Sequence, residues 1–380
     1  MPVLPRLIRY TRKAAFHAGL VGRSCEPLAG GLRAIVDDLA PPLMREHNVP
    51  GLSVLVLLPD GSRVERCLGV ADAGTGAPMA PDTVFQVMSV TKPVTALGVL
   101  RLAEKRILDL DTPVEQYLRS WTLPLDRRHA HDFSAVTLRR ILSHTAGFNV
   151  HGFLWAPPDA AAPTTTELLD GIEGPEFLLR LVHPPGERFH YSGGGYTLVQ
   201  KVIEDVTGRP FADVMRDEVF IPLALRTSSF AETETVRAAL ATRHDEQARP
   251  LPRALCAAHA PTGLYSTPRD LAALWSMMYA GPAGEPPGGG FISEEAARAM
   301  TTPHSDPAGE RVCGLGFFLW RTRSDCVFSH AGFKQGWWCQ AISFLRRRCT
   351  LVVCSNADSG AACVKPLCTA LRQHIFDHAL

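Results

Sequence analysis

Strand-forming runs stand at the two ends of this chain and thin out between them, and that placement constrains the fold more than any other feature. Near the start, residues 52–58 form a short apolar, β-branched run, Asp60-Gly61 supplies a turn, and a second run over 64–71 completes a hairpin. Strand-like runs return only near 316–320, 326–330, 337–344 and 350–354, before a closing helix over about 361–378. From about 111 to 254 helical patterns dominate, at 137–142, at 176–181 and from Tyr196 to Val206 ahead of a stop at Gly208. The arrangement predicts an α/β (α+β) fold in which an antiparallel sheet, flanked by helices, is completed by the C-terminal part. The expected organisation is a lead-in over 1–30, a sheet domain from 31–110 and 255–380, and an all-helical insertion over 111–254. Stiff or turn-rich loops are expected at 157–163 and 282–290.

Composition narrows the partners. In 380 residues charged side chains make up 20% and cancel to a formal +1, so there is no electrostatic footprint for nucleic acid and a neutral or locally delivered substrate is expected. Ten cysteines include no C-x-x-C pair and no zinc-site spacing, which predicts free thiols in a reducing compartment and hence a cytoplasmic protein. Arg6, Arg9, Arg12 and Lys13 precede an apolar run too short for a signal peptide and interrupted by His17. The first 25 residues or so read either as a basic amphipathic lead-in or as a disordered tail. No run approaches the roughly 18 apolar residues of a membrane span, so no stable membrane insertion is expected.

The sharpest chemical signal is Ser89-Val90-Thr91-Lys92, at the entry to a helix over 94–103 that is apolar on nearly every face and therefore expected to be buried. Pro93 fits the first turn of such a helix, where no intrahelical N–H bond is lost. Residues three apart share a helical face, so Ser89 and Lys92 can meet. A lysine in a dry pocket has its pKa lowered and can take the serine proton. Alone, S-x-x-K is short enough to arise by chance.

Its surroundings make it specific. The string from Val84 to Lys92 resembles the nucleophile segment of the group that contains class C β-lactamases, D-alanyl-D-alanine carboxypeptidases and family VIII esterases. In order after it come Leu142-Ser143-His144-Thr145-Ala146-Gly147, Pro184-Pro185-Gly186 with Phe189-His190-Tyr191-Ser192, and Gly263-Leu264-Tyr265-Ser266-Thr267-Pro268. Ser329-His330-Ala331-Gly332 and Cys354-Ser355-Asn356 follow, so the resemblance spans about residues 45–375. It implies the β-lactamase/DD-peptidase-like fold, with the active site in a cleft between the sheet and the insertion.

The resemblance also implies roles. Ser89 is the expected nucleophile, Lys92 its activator, and Tyr191 a phenol, partly ionised beside Lys92, that relays the proton. His330 stands where many members carry lysine, and the backbone N–H groups of Ser89 and Phe333 are the expected oxyanion hole. Gly193, Gly332 and Trp337 are expected at the substrate. The chain departs from the pattern at Gly193, where an Asn usually follows Tyr191 by two; its absence removes a partner for a substrate amide. Gly193-Gly194-Gly195 is read as open space beside Tyr191. Of Trp337 and Trp338, one should face inward and one outward.

Other candidates are set aside. His144 lies in a segment that is a structural turn in the resembling group, and His129-Ala130-His131-Asp132 lacks the rest of a metallo-hydrolase pattern. No G-x-S-x-G elbow occurs. The reading is a serine hydrolase without metal or organic cofactor, acting on a small-molecule ester or amide, foremost an esterase or acyl-transferring enzyme. A β-lactamase or D-amino-acid peptidase is the alternative, and a non-catalytic scaffold a second one. The oligomeric state is left open.

Overall fold

The computed structural model describes residues 25–124, 132–155, 161–281, 284–304 and 312–379. The chain ends do meet in one sheet. Helix α1 (Glu26–Glu46) leads into the hairpin β1 (Gly51–Leu57) and β2 (Arg63–Asp72), followed by the short β3 (Ala77–Pro78) and β4 (Phe85–Gln86) and by α2 (Thr91–Glu104). The helical stretch contains α3 (Leu138–Leu142), α4 (Thr165–Leu169), α5 (Gly193–Thr207), α6 (Phe211–Met215) and α7 (Glu234–Ala239). After α8 (His259–Thr262), β5 (Tyr265–Ser266), α9 (Pro268–Ser276) and α10 (Glu294–Met300) come β6 (Val312–Cys313), β7 (Phe318–Arg321), β8 (Cys326–Lys334), β9 (Trp337–Phe344), β10 (Cys349–Ser355) and α11 (Ala361–His378).

The eight-stranded antiparallel sheet runs β3-β2-β1-β10-β9-β8-β7-β6, so β1 pairs directly with β10 through contacts such as Val54 with Val353. Every residue of β10 is buried, because both sheet faces are covered. On one face Val54, Val56, Ile342 and Phe344 pack with residues of α1 and α11; on the other Leu55, Phe328 and Val352 join the large core around α2 and α5. Helix α2 is buried along almost its whole length, as its all-round apolar pattern predicts.

Three local expectations need correction. Residues 176–181 form no helix, because their main-chain groups are taken by another segment: Asn149 donates to the Leu178 carbonyl at 2.9 Å and accepts from the Arg180 amide at 2.7 Å. The lead-in ends sooner than 30, since α1 starts at Glu26. Helix α5 starts at Gly193, capped by the Ser192 hydroxyl on Gly195 N–H at 2.9 Å, so the three glycines are its first turn. The expected N-terminal segment up to residue 24, His129 to His131 and part of the 157–163 loop lie outside the described residues. All ten cysteines are free. Among the described residues no helix is long and apolar enough to cross a membrane.

Candidate active site

Ser89 sits in a single 3-10 turn, Met88–Val90, that feeds α2. Met88 has φ +51°, a left-handed conformation costly for a non-glycine residue, and holds it while fully buried. The turn is anchored by the Val87 amide on the Leu264 carbonyl at 3.0 Å. Ser89 is left half-exposed between buried neighbours.

One helical step on, Lys92 is 1% exposed. Its Nζ lies 3.0 Å from Ser89 Oγ and donates to the Pro261 carbonyl, also at 3.0 Å. A carbonyl can only accept, so this bond fixes one N–H away from the serine. Burial lowers the Lys92 pKa to about 7, because the ammonium loses its hydration. The Tyr191 hydroxyl lies 3.0 Å from Ser89 Oγ on another side. Its burial pushes the phenol well above its ordinary range, which favours the neutral hydroxyl over the expected partial phenolate.

Rings surround Tyr191. His144 lies 4.3 Å away, His151 4.8 Å, and Phe318 stacks on it at 6.1 Å with an interplanar angle of 15°. His144, at φ +57°, accepts the Ser192 amide on Nδ1 at 3.2 Å and so holds the segment that carries Tyr191. Burial keeps that imidazole well below its usual pKa, hence neutral.

His330 projects from β8 and is 2% exposed. Its Nδ1 lies 2.8 Å from the Ala331 carbonyl, which puts the ring proton on Nδ1. Burial, with Lys92 nearby, lowers its pKa to about 3, so no positive charge stands there at neutral pH. Gly332, one alternation along the same face, lies against the turn that carries Ser89: a Cβ added there would fall 2.3 Å from the Val87 carbonyl oxygen and 2.6 Å from the Ser89 nitrogen. Only glycine lets β8 approach the Ser89 amide this closely. Phe333 follows, its ring 63% exposed and stacked on Trp338 at 4.8 Å.

Two expected substrate positions come out differently. Trp337 is buried against Phe85, ring centroids 6.1 Å apart, under the short β4 strand and not at an open surface; Trp338 is the partly exposed member of the pair. Gly193 borders no open space, since an added Cβ would fall 2.6 Å from the His151 carbonyl oxygen, and at Gly194 it would meet Leu179 and Val150. The glycines instead let the 150–151 backbone lie on the first turn of α5. Met88, the Pro261 carbonyl, His151 and Phe318 were not foreseen; a main-chain carbonyl has no sequence signature, and the two rings reach Tyr191 only through tertiary packing.

The Beta-lactamase family matches over residues 36–371. Penicillin-binding protein 4 of Amycolatopsis lactamdurans is 33% identical over 211 residues, covering 53% of this chain and 50% of that one. Esterase EstB of Burkholderia gladioli is 32% identical over 234 residues, 59% of this chain and 57% of the esterase. The chain thus spans about half the length of these curated relatives. Among solved structures SurE superposes with a TM-score of 0.74 at 25% identity, covering 93% of this chain and 78% of that one. With the match running over most of its length and the sheet joined across both ends, this chain belongs to the Beta-lactamase family, a family of serine hydrolases.

Proposed function

We propose that this protein is an esterase that works through an acyl-enzyme on Ser89, in the cleft between the sheet and the helical region. The observation that carries the reading is the placement of Ser89 Oγ 3.0 Å from both a lysine whose pKa is lowered to about 7 and a phenol that keeps its proton. Ser89 Oγ attacks the ester carbonyl while its proton passes to neutral Lys92. The negative charge of the tetrahedral intermediate falls to the N–H groups of Ser89 and Phe333. Tyr191 gives its proton to the departing alkoxide and is recharged from Lys92. Water, or an alcohol in an acyl transfer, then releases the acyl group by the same path in reverse.

Esters are favoured over β-lactams and D-amino-acid peptides because two recognition groups for those substrates are missing. His330 is neutral and buried, so it offers no charge to a carboxylate, and position 193 has no side chain to meet an amide. Intact-mass and turnover measurements with nitrophenyl esters and a chromogenic cephalosporin test this. Short aryl esters should exceed penicillins in kcat/KM by at least about a hundredfold, a gap that joins unpaired amide groups to the higher reactivity of aryl esters. Fluorophosphonate labelling should disappear in Ser89→Ala; undiminished labelling would remove Ser89 as nucleophile, and faster turnover of the cephalosporin would favour the β-lactamase reading.

A further inference from the structure

Beyond the catalytic groups, the contacts around Ser89 close into a ring. Gly332 abuts the Ser89 amide, and Lys334 lies two residues further on the same face of β8, about 7 Å along the strand. Lys334 Nζ donates to the Phe153 carbonyl. From Phe153 the chain runs back to His151, whose ring lies 4.8 Å from Tyr191, and Tyr191 returns to Ser89. The segment is tied down along its length. Gly193 and Gly194 donate to the His151 and Val150 carbonyls at 3.2 and 2.9 Å, the Leu154 amide donates to Glu173 at 2.7 Å, and Phe153 stacks on Phe177.

Trp155 meets two cations. Lys334 Nζ lies 5.3 Å and the Arg243 guanidinium carbon 4.9 Å from the centre of the Trp155 ring. Arg243 in turn donates to the Pro252 carbonyl at 2.7 Å and to the Gln335 carbonyl at 3.3 Å, fixing the β8–β9 turn. Both cations are half-buried, and burial lowers the pKa of each. Neither has a carboxylate within ion-pair distance among the described residues. Glu173 and Asp358 act on them only from further away, so the carbonyls and the indole face are what offset the lost hydration.

We propose that Lys334, Arg243 and Trp155 form a clamp that shuts the cleft at the β8–β9 turn and sets how long a substrate arm the site accepts. An arm that lies along β8 past Gly332 meets Lys334 and the Phe153 carbonyl about 7 Å further on. The substrate class is therefore esters with a short substituent on that side. Lys334 and Trp155 are specificity-determining and touch no reacting atom. This inference rests on the proposed ester chemistry at Ser89.

The test is the length profile of wild type, Trp155→Ala, Lys334→Ala and Lys334→Arg, with nitrophenyl esters from acetyl to octanoyl and with acetates of alcohols from methyl to octyl. On one of the two arms the ratio of kcat/KM for long over short should rise at least about tenfold in Trp155→Ala and Lys334→Ala, and Lys334→Arg should bring it back toward wild type. An unchanged ratio on both arms, in variants that keep the wild-type melting transition, overturns the clamp as a specificity element. Amide hydrogen exchange over 149–155 is read on the same proteins and should quicken in Lys334→Ala. If no ester is turned over and Ser89 takes no label, the proposed function fails by itself; exchange then decides the clamp, and unaltered exchange removes it.

Discussion

Lys92 and Tyr191 stand at equal distances from Ser89 Oγ, in two pockets of different make-up. Lys92 is enclosed by α2 and the 258–264 segment, with Ser89 Oγ and the Pro261 carbonyl as polar partners and the faces of the Tyr191 and Tyr196 rings 4.9 and 5.5 Å from Nζ; Tyr191 is packed on its other sides among His144, His151, Phe318 and, at 6.3 Å, His330. Both pockets exclude water, and desolvation disfavours whichever form is charged. For the amine this frees a lone pair near pH 7; for the phenol it locks the proton on. One physical cause thus separates the proposed base from the proposed acid with no carboxylate bonded to either among the described residues, and the neutral histidines add no charge beside them.

If this division of labour holds, removing the base should hurt more than removing the donor. Lys92→Met is expected to lower kcat/KM for a short aryl ester by about 10³-fold or more, within the range for lost general-base assistance, and Tyr191→Phe by about 10². An aryl oxide leaves without much help, so the Tyr191→Phe loss should grow when the leaving group is an alkyl alcohol. Equal losses for both leaving groups would break the assignment of Tyr191 to the departing oxygen.

A smaller effect is read from pH. Only neutral Lys92 can accept the serine proton, so kcat/KM should climb about tenfold per unit up to roughly pH 7 and then level off. Because Tyr191 holds its proton well above the ordinary phenol range, the plateau should extend past pH 9. Tyr191→Phe should keep the rising limb. A bell that falls by pH 8.5 would put a second ionisation into the range and contradict the neutral phenol.

Much of this arrangement was legible in the sequence wherever one residue type at one spacing has one physical use. The hairpin and the closing strands follow from short apolar, β-branched runs bounded by turn residues, and Ser89 with Lys92 from helical spacing at the entry to an apolar helix. What failed was long-range packing. The apolar stretch 176–181 matched a helix until Asn149 took its main-chain groups, and Gly193-Gly194-Gly195 promised space that the 150–151 backbone fills. Nothing in the order of residues says that Trp337 lies beneath Phe85, or that Trp155 meets two cations from distant segments. The upward pull on the Tyr191 pKa is hidden from the sequence for the same reason, since a motif gives its neighbour Lys92 but not the rings that dry it.

The smallest effect concerns stability and isolates the Lys92 pocket from catalysis. Lys92 binds its proton with a pKa of about 7 when folded and about 10.5 when unfolded. Below about pH 7 both states are charged, and the whole cost of burying the ammonium is carried by the folded protein. Above about 10.5 both are neutral and that cost is gone. Between these limits the unfolded chain binds more protons, so stability from this group rises with pH, by roughly 1 kcal/mol per unit. Lys92→Met lacks this dependence, while its other consequences, such as the lost bond to the Pro261 carbonyl, do not vary with pH and cancel in the comparison. Urea unfolding at pH 7.5 and 9.5 should therefore show wild type gaining roughly 2 kcal/mol relative to Lys92→Met over that interval. A difference that stays constant between the two pH values would mean that Lys92 keeps its ordinary ionisation in the folded protein, and the contrast with Tyr191 would lose its cause.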